Sequence, residues 1–327
     1  MKHEYLLWMH CLEPLHHGSG EGLGVVDRPL LRSIHNGHPI IQGSTVKGVV
    51  KAEATERAES ATKAAPAENG VGTDSKAELE ELFGKSGTEG YQGRANFHDF
   101  SVVFFPVRSL ADTFVWVTSP LALHKLRDAL PQNGDLCVAL GMFLDAACSE
   151  VKPGFAVAPT KAGGILLGTG ANARCCIENR VLQLASDQTA RGLFDEFTSA
   201  FAAVIFKDSA YWQEFFKARV LLITDKDYTA LMQTATEVRA NIAMDKEGKG
   251  VTQTGSLRYT EYLPAETILW APLSVWLKEA GLIRRLMSLH VLPVLQGVLQ
   301  FGADETTGKG VTRMGCISVA QPAGEGE

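Results

Sequence analysis

EYLLWMHCL (residues 4–12), HHGSGEGLG (16–24) and GSTVKGVVK (43–51) follow one another near the start of the chain, and their succession decides the fold. The first is an apolar run of strand length, stopped by Pro14, and reads as a buried strand. The second places Gly18, Gly20, Gly22 and Gly24 at alternate positions, which neither a helix nor a central strand tolerates, so it is a loop. His35, Asn36, Gly37 and His38 make a turn, residues 39–41 a short strand, and residues 43–45 open a helix with Ser44 or Thr45 as its N-cap.

Further along, residues 95–120 show strand pattern, 121–130 a helix behind Ser119 and Pro120, and 165–167 and 174–184 strands. An amphipathic helix is expected over 190–206, a buried strand over 218–224 and a helix from Asp225 to about Thr234. Residues 235–263 read as a long hairpin with a polar tip at 245–250. A strand at 268–272 follows, then residues 273–299, helical in parts. A second glycine-rich loop, Gly302 to Gly310, leads into a last strand at 311–319. Strands that often follow strands, mixed with helices, predict an α+β, ferredoxin-like split β-α-β fold with insertions, forming one domain over residues 1–327.

The composition is that of a globular protein, 45% hydrophobic and 21% charged, but its net charge of −6 argues against a nucleic-acid binder. The location of that charge changes its meaning. Residues 53–89 hold nine acidic and four basic side chains, net −5, inside an Ala- and Glu-rich stretch read as an acidic insertion over 52–94. Immediately before it, residues 28–51 contain Arg28, Arg32, Lys47 and Lys51 and no acid, a strip able to follow a phosphate backbone. The six cysteines have no zinc spacing and read as reduced residues of a cytoplasmic protein, with Cys175 and Cys176 on opposite faces of one strand. No signal peptide and no membrane partner are expected.

Nucleotide-cofactor glycine motifs are absent, so the two glycine loops read either as turns or as places where backbone amides approach phosphates. Lys47 and Lys51 share one helix face beside the Ser44–Thr45 helix start. Asp27, between a glycine loop and Arg28–Pro29, reads as an Asx-turn cap, as a carboxylate acting on a ribose 2′-hydroxyl, or as one holding a divalent ion near a phosphate. His16 and His17 are loop histidines that could move a proton. Arg258, Tyr259, Glu261 and Tyr262 combine a cation, aromatics and a carboxylate on one hairpin arm, which suits either cross-strand packing or base stacking.

These segments in this order resemble RAMP proteins, the RNA-binding subunits of CRISPR effector complexes. The carriers are HHGSG (16–20), GVVDRP (24–29) and IQGSTVKG (41–48). FFPVRSL (104–110), WVTSP (116–120), EYLP (261–264) and GADETTGKG (302–310) narrow the likeness to the repeated backbone subunit of type III-B (Cmr) complexes, the fourth subunit of that complex. The resemblance implies an RRM-like palm, with a thumb hairpin over 235–267, whose copies stack along a guide crRNA beside other Cmr subunits. It implies an endoribonuclease that cuts target RNA once per copy, with a divalent metal ion such as Mg2+ and no defined protein cage for it. Asp27 matches the catalytic aspartate, and His16, Glu261 and Tyr262 the assisting positions. Arg28, Ser44, Thr45, Lys47, Lys51, Arg258, Gly308, Lys309 and Gly310 are the RNA-binding candidates. Gln42 stands where the family often has proline, and the paired His16 and His17 leave to geometry which of them takes the family's histidine position. A non-catalytic crRNA scaffold and an enzyme acting on a phosphorylated small molecule are the alternatives.

Overall fold

A computed structural model describes residues 2–20, 22, 24–64, 74–85, 87–242, 257–276, 281, 285 and 287–319. The expected hairpin tip at 245–250 and residues 65–73 of the acidic stretch lie outside them. In chain order the elements begin with β1 (Lys2–Cys11), β2 (Ile40–Ile41), α1 (Gly43–Ala64), α2 (Asp74–Phe83), β3 (Gly84–Lys85), β4 (Tyr91–Gln92), β5 (Ala95–Phe97), β6 (Phe100–Arg108) and β7 (Phe114–Thr118). Next come α3 (Pro120–Ala129), α4 (Asp135–Ala147), β8 (Phe155–Ala156), β9 (Arg174–Ile177), β10 (Arg180–Leu184), α5 (Gln188–Ile205), α6 (Ala210–Lys217), β11 (Val220–Leu222) and α7 (Asp225–Thr234). The chain closes with β12 (Glu237–Asn241), β13 (Arg258–Tyr262), β14 (Ile268–Trp276), helical turns at Met287–Val291 and Leu292–Leu295, β15 (Val298–Gln300) and β16 (Val311–Val319).

The main sheet runs β11-β7-β6-β14-β1-β16-β15, with β2 on β6 and β5 on β14. Within it β1 is antiparallel to both β14 and β16, and β14 is antiparallel to β6. Taken as first, second, third and fourth strands, β1, β6, β14 and β16 stand in the 4-1-3-2 order of a ferredoxin-like sheet. Helix α1 forms the crossover from β1 to β6, and the turns at 287–295 lie between β14 and β16. Everything from β7 to β13 is inserted between the second and third strands. The fold is therefore the expected α+β palm.

Strand alternation explains why β1 is buried on both faces. Tyr5, Leu7, Met9 and Cys11 pack in one core with Val46, Val50 and Ala54 of α1 and Leu79, Leu82 and Phe83 of α2. Leu6 and Trp8 face a second core formed with α3 to α6. There Phe143 stacks on Phe194 with ring centroids 4.2 Å apart. Burial of each such side chain contributes about 1.5–3 kcal/mol relative to exposure. Cys175 is buried and Cys176 half-buried on β9, and all six cysteines are free thiols. Burial pushes the Cys175 and Cys316 thiols up to about 12.

Several expectations need correction. The third palm strand does not end at Pro272 but continues to Trp276. On the side away from β1, β6 pairs with residues 268–270 and β5 with 273–275, so Pro272 falls in the gap where no ladder N–H is required. Of the strand expected at 165–167, Ile165 ends a single helical turn begun at Ala162, and Leu167 makes only an isolated bridge to Arg174. Neither Ser44 nor Thr45 caps α1. The helix starts at Gly43, whose N–H donates to Asp99 Oδ1 (2.8 Å). A Cβ at Gly43 would lie 2.1 Å from the Phe97 carbonyl oxygen, so only glycine lets the helix start so close to β5.

Candidate functional site

Pairing of β1 with β14 and β16 brings three distant segments to one end of the sheet: the loop after β1, the base of the β12–β13 hairpin and the loop before β16. The two glycine loops join through their backbones. Ala303 N–H donates to the His16 carbonyl (3.0 Å), and Gly310 N–H to the Pro14 carbonyl (2.9 Å). Gly302 adopts φ +88, and a Cβ there would meet the His16 carbonyl oxygen at 2.2 Å. Residues 28–30 are bound to β13 by Arg28 N–H to Tyr259 O (3.1 Å) and Glu261 N–H to Arg28 O (3.0 Å). Between these walls lies an open cleft of about 690 Å³, lined in part by His16, His17, Asp27, Arg28, Arg258 and Gly302.

His16, His17, Asp27 and Arg28 each have a defined partner. His16 is buried, and its Nδ1 donates to the Glu261 carbonyl oxygen (2.7 Å). A carbonyl can only accept, so Nδ1 carries a proton and Nε2 is the ring nitrogen left for substrate. Asp27 is exposed, and its Oδ2 accepts the Tyr259 N–H (2.7 Å). His17 Nε2 accepts the Gln42 N–H (3.3 Å), linking the cleft to the start of α1. Burial, reinforced by His16 and opposed by Asp99, lowers the His17 imidazole below its usual value, which favours the neutral acceptor.

Arg28 Nη1 donates to both carboxylate oxygens of Asp304 (3.1 and 3.2 Å), and the Tyr262 hydroxyl donates to Asp304 Oδ2 (2.7 Å). Burial alone would raise the Asp304 carboxyl. The bonds from Tyr262 and Arg28 outweigh it and hold that carboxyl below the ordinary range. Burial first, then the bond to Asp304, raises the Tyr262 phenol. The Tyr262 ring stands edge-on to His16, with centroids 5.7 Å apart.

Of the expected assisting residues, His16 lines the cleft, while Glu261 and Tyr262 stand behind its wall. Buried Glu261 accepts from Leu30 N–H (2.9 Å), Thr236 Oγ1 (2.8 Å) and Arg32 Nη2. This carboxylate clamps the strip after Asp27 to the hairpin base. Of the RNA-binding candidates, Arg28 and Arg258 line the cleft, and Ser44, Thr45 and Lys47 sit beyond His17 at the start of α1. Burial, then the neighbouring Lys51, lowers the Lys47 ammonium. Lys51 Nζ donates to the Gly84 carbonyl (3.0 Å). Gly308, Lys309 and Gly310 form the far end of the second loop, where Gln300 Nε2 donates to the Lys309 carbonyl (2.8 Å).

Sequence reasoning missed Asp304, Asp99 and Thr236. Only Asp304 left a signal, as the acid inside the quoted second glycine loop. Among the described residues no group of three or more His, Cys, Asp or Glu side chains is placed to hold a metal ion. Among the described residues lining the cleft, Asp27 is the one carboxylate.

The sequence matches the RAMP superfamily over residues 8–313. It is similar to the CRISPR system Cmr endoribonuclease Cmr4 of Pyrococcus furiosus, 26% identical with 98% of each chain covered. Among solved structures it is similar to oligomeric Cmr4 from Pyrococcus furiosus (21% identity, TM-score 0.62, covering 97% of this chain and 99% of that one). It is also similar to a chain of the cryo-EM structure of the type III-B Cmr-beta complex bound to cognate target RNA (19% identity, TM-score 0.68, 96% of each chain). At these identities the structural likeness speaks for the fold.

Proposed function

The chain belongs to the RAMP superfamily, and on that premise we propose that it is the repeated backbone subunit of a type III-B CRISPR complex. Its copies bind guide crRNA and cut complementary target RNA at regular intervals. The observation that carries this reading is the convergence of His16, Asp27, Arg28 and Arg258 in one cleft at the base of the β12–β13 hairpin. The relative named as a Cmr endoribonuclease, matched over 98% of its length, supports it. Guide pairing supplies specificity, and the protein reads backbone and shape. The hairpin acts as the thumb that displaces a nucleotide.

Splaying a nucleotide frees its 2′-hydroxyl to reach in-line geometry on the adjacent phosphate, which a regular A-form duplex denies. Asp27, held by Oδ2 on the Tyr259 amide, orients or deprotonates that hydroxyl through Oδ1. The 2′-hydroxyl proton passes to Asp27, and His16, with its ring also protonated at Nε2, gives a proton to the leaving 5′-oxygen. Arg28 offsets charge developing on the phosphate. The 2′-oxygen to phosphorus bond forms as the phosphorus to 5′-oxygen bond breaks, leaving a 2′,3′-cyclic phosphate and a 5′-hydroxyl. A Mg2+ ion would have to draw most of its ligands from water and RNA phosphates, and none of these steps passes through it.

The bond from Tyr259 N–H to Asp27 also favours a second reading, a scaffold in which Asp27 only caps the hairpin. Reconstituted complexes with guide and end-labelled complementary RNA separate the two. Wild type is expected to yield regularly spaced products, and Asp27→Ala to assemble, bind target and leave it whole. Equal cutting by Asp27→Ala would refute the catalytic role.

A further inference from the structure

Resting on the endoribonuclease reading above, we infer that Asp304 is a positioning residue for the phosphoryl transfer. It grips the Arg28 guanidinium at Nη1 so that the Nε–Nη2 edge meets the scissile phosphate beside Asp27. The contact leaves that edge available. Nη1 lies 3.1 and 3.2 Å from the two Asp304 oxygens, and among the described residues Nε and Nη2 have no protein acceptor. The Nε–Nη2 edge carries parallel N–H groups, whose spacing matches two phosphate oxygens.

Asp304 is itself fixed, which makes it an anchor rather than a mobile counter-ion. Its carboxylate takes the Tyr262 hydroxyl at 2.7 Å. Its carbonyl accepts from Thr307 N–H (3.0 Å), Thr307 Oγ1 (2.8 Å) and Lys309 N–H (3.3 Å). Its backbone occupies the left-handed region, φ +66, which sets the direction of the side chain at the head of the loop. Its neighbour Ala303 is hydrogen-bonded to His16, and its partner Tyr262 packs edge-on against the same histidine. Asp304 therefore ties Arg28, Tyr262 and His16 into one frame.

The pairing also sets what Arg28 contributes. With its charge balanced by Asp304, Arg28 adds little to ground-state attraction for RNA. Its directed donors act where the phosphate gains charge, in the transition state. Loss of Asp304 should thus lower the cleavage rate more than the affinity.

The test uses reconstituted complex in saturating excess over end-labelled complementary RNA, with the single-turnover rate and the target Kd measured separately. Asp304→Asn keeps an acceptor but loses the charge, and should slow cleavage by about tenfold or more with Kd within about twofold. Arg28→Ala should slow cleavage at least as much, and Arg28→Ala/Asp304→Asn no further, because both act through one guanidinium. Tyr262→Phe keeps the ring against His16 and should give a smaller loss of rate alone. It carries the same test should Asp304→Asn fail to assemble, and unchanged cleavage by Tyr262→Phe in that case overturns the inference. A wild-type rate for Asp304→Asn, parallel losses of rate and affinity, or additive losses in the double variant also overturn it. Cleavage lost in Asp27→Ala but kept in Asp304→Asn refutes this inference alone, whereas a wild-type complex that never cuts refutes the function as well.

Discussion

Replacing Gly302 by alanine tests the junction of the two glycine loops, and two other glycines calibrate it. Every Gly→Ala change gains about 0.4–1 kcal/mol by restricting the unfolded chain. Gly24 has no positive φ, and an alanine methyl there would meet nothing within 4 Å, so that gain should remain. Gly308 has equally open surroundings but sits at φ +75, and a left-handed alanine costs about 1–2 kcal/mol. Its net should be a loss of about 0.5–1 kcal/mol, the difference of those two effects. Gly302 adds a collision to its φ of +88, with its Cβ 2.2 Å from the His16 carbonyl oxygen. Relief requires the loops to part, losing the Ala303 to His16 hydrogen bond and about 0.5–1.5 kcal/mol more, with packing loss beyond that. A total loss of about 2–4 kcal/mol is expected. Urea unfolding of the isolated subunit should therefore rank Gly24→Ala above wild type, then Gly308→Ala, then Gly302→Ala, by midpoint at constant m. Equal midpoints for Gly302→Ala and Gly308→Ala would show that the loops do not meet as described.

Three further outcomes follow from named partners. Glu261→Ala takes the acceptor from Arg32 Nη2, the Leu30 N–H and the Thr236 hydroxyl, while Arg32 Nη1 keeps the Gly37 and Met232 carbonyls, and should destabilise by about 2–4 kcal/mol in urea unfolding, with Glu261→Gln milder. His38 is pushed down to about 4 by burial, then by Lys125, His35 and Arg32 against Asp225, while its unfolded value is 6.5. The unfolded chain takes up this proton first, so the contribution is full above pH 6.5 and is lost as pH falls toward 4. His38→Asn should flatten that part of a stability–pH curve, and an unchanged slope would contradict the assignment. Maleimide labelling of native protein should modify exposed Cys148 first and Cys176 next, leaving buried Cys11, Cys137, Cys175 and Cys316 for the unfolded chain.

Local chemistry made the palm legible, and long-range partners hid the rest. The first strand, both glycine loops, the helix behind Ser119 and the helix at Asp225 announce themselves through run length, φ requirements and capping side chains. Helix α4 does not. Eight of its thirteen residues are buried, so it shows no polar face and residues 131–164 carry no periodic signal. Pro272 suggested a strand end because the two half-ladders on its far side are a tertiary fact. Asp27, His16 and Arg28 were found from residue type and order. Whether a carboxylate such as Glu261 or Asp304 faces a cleft or braces its wall depends on partners more than 200 residues away, such as Arg32 and Arg28.

The same distinction gives the basic residues a measurable meaning. Residues 28–51 looked like a +4 strip, yet Arg28 is paired with Asp304, Arg32 with Glu261, and Lys51 with the Gly84 carbonyl. Among the described residues Lys47, Arg258 and Lys309 have no side-chain acceptor, and Arg28 keeps one donor edge. Single-stranded binding loses affinity with a log–log salt slope of about −0.7 per neutralised phosphate. Three or four available cations then predict a slope of roughly −2 to −3 for the lone subunit, whereas all six basic residues of the strip and loops would give about −4. A titration with a short unstructured RNA at several salt concentrations measures this directly. A slope of −4 or steeper would mean that the internal pairs open to meet RNA, and that the cleft is less pre-organised than its hydrogen bonds imply. A slope near −2 would mean that one copy holds RNA weakly, so that affinity has to come from guide pairing and from copies acting together along one strand.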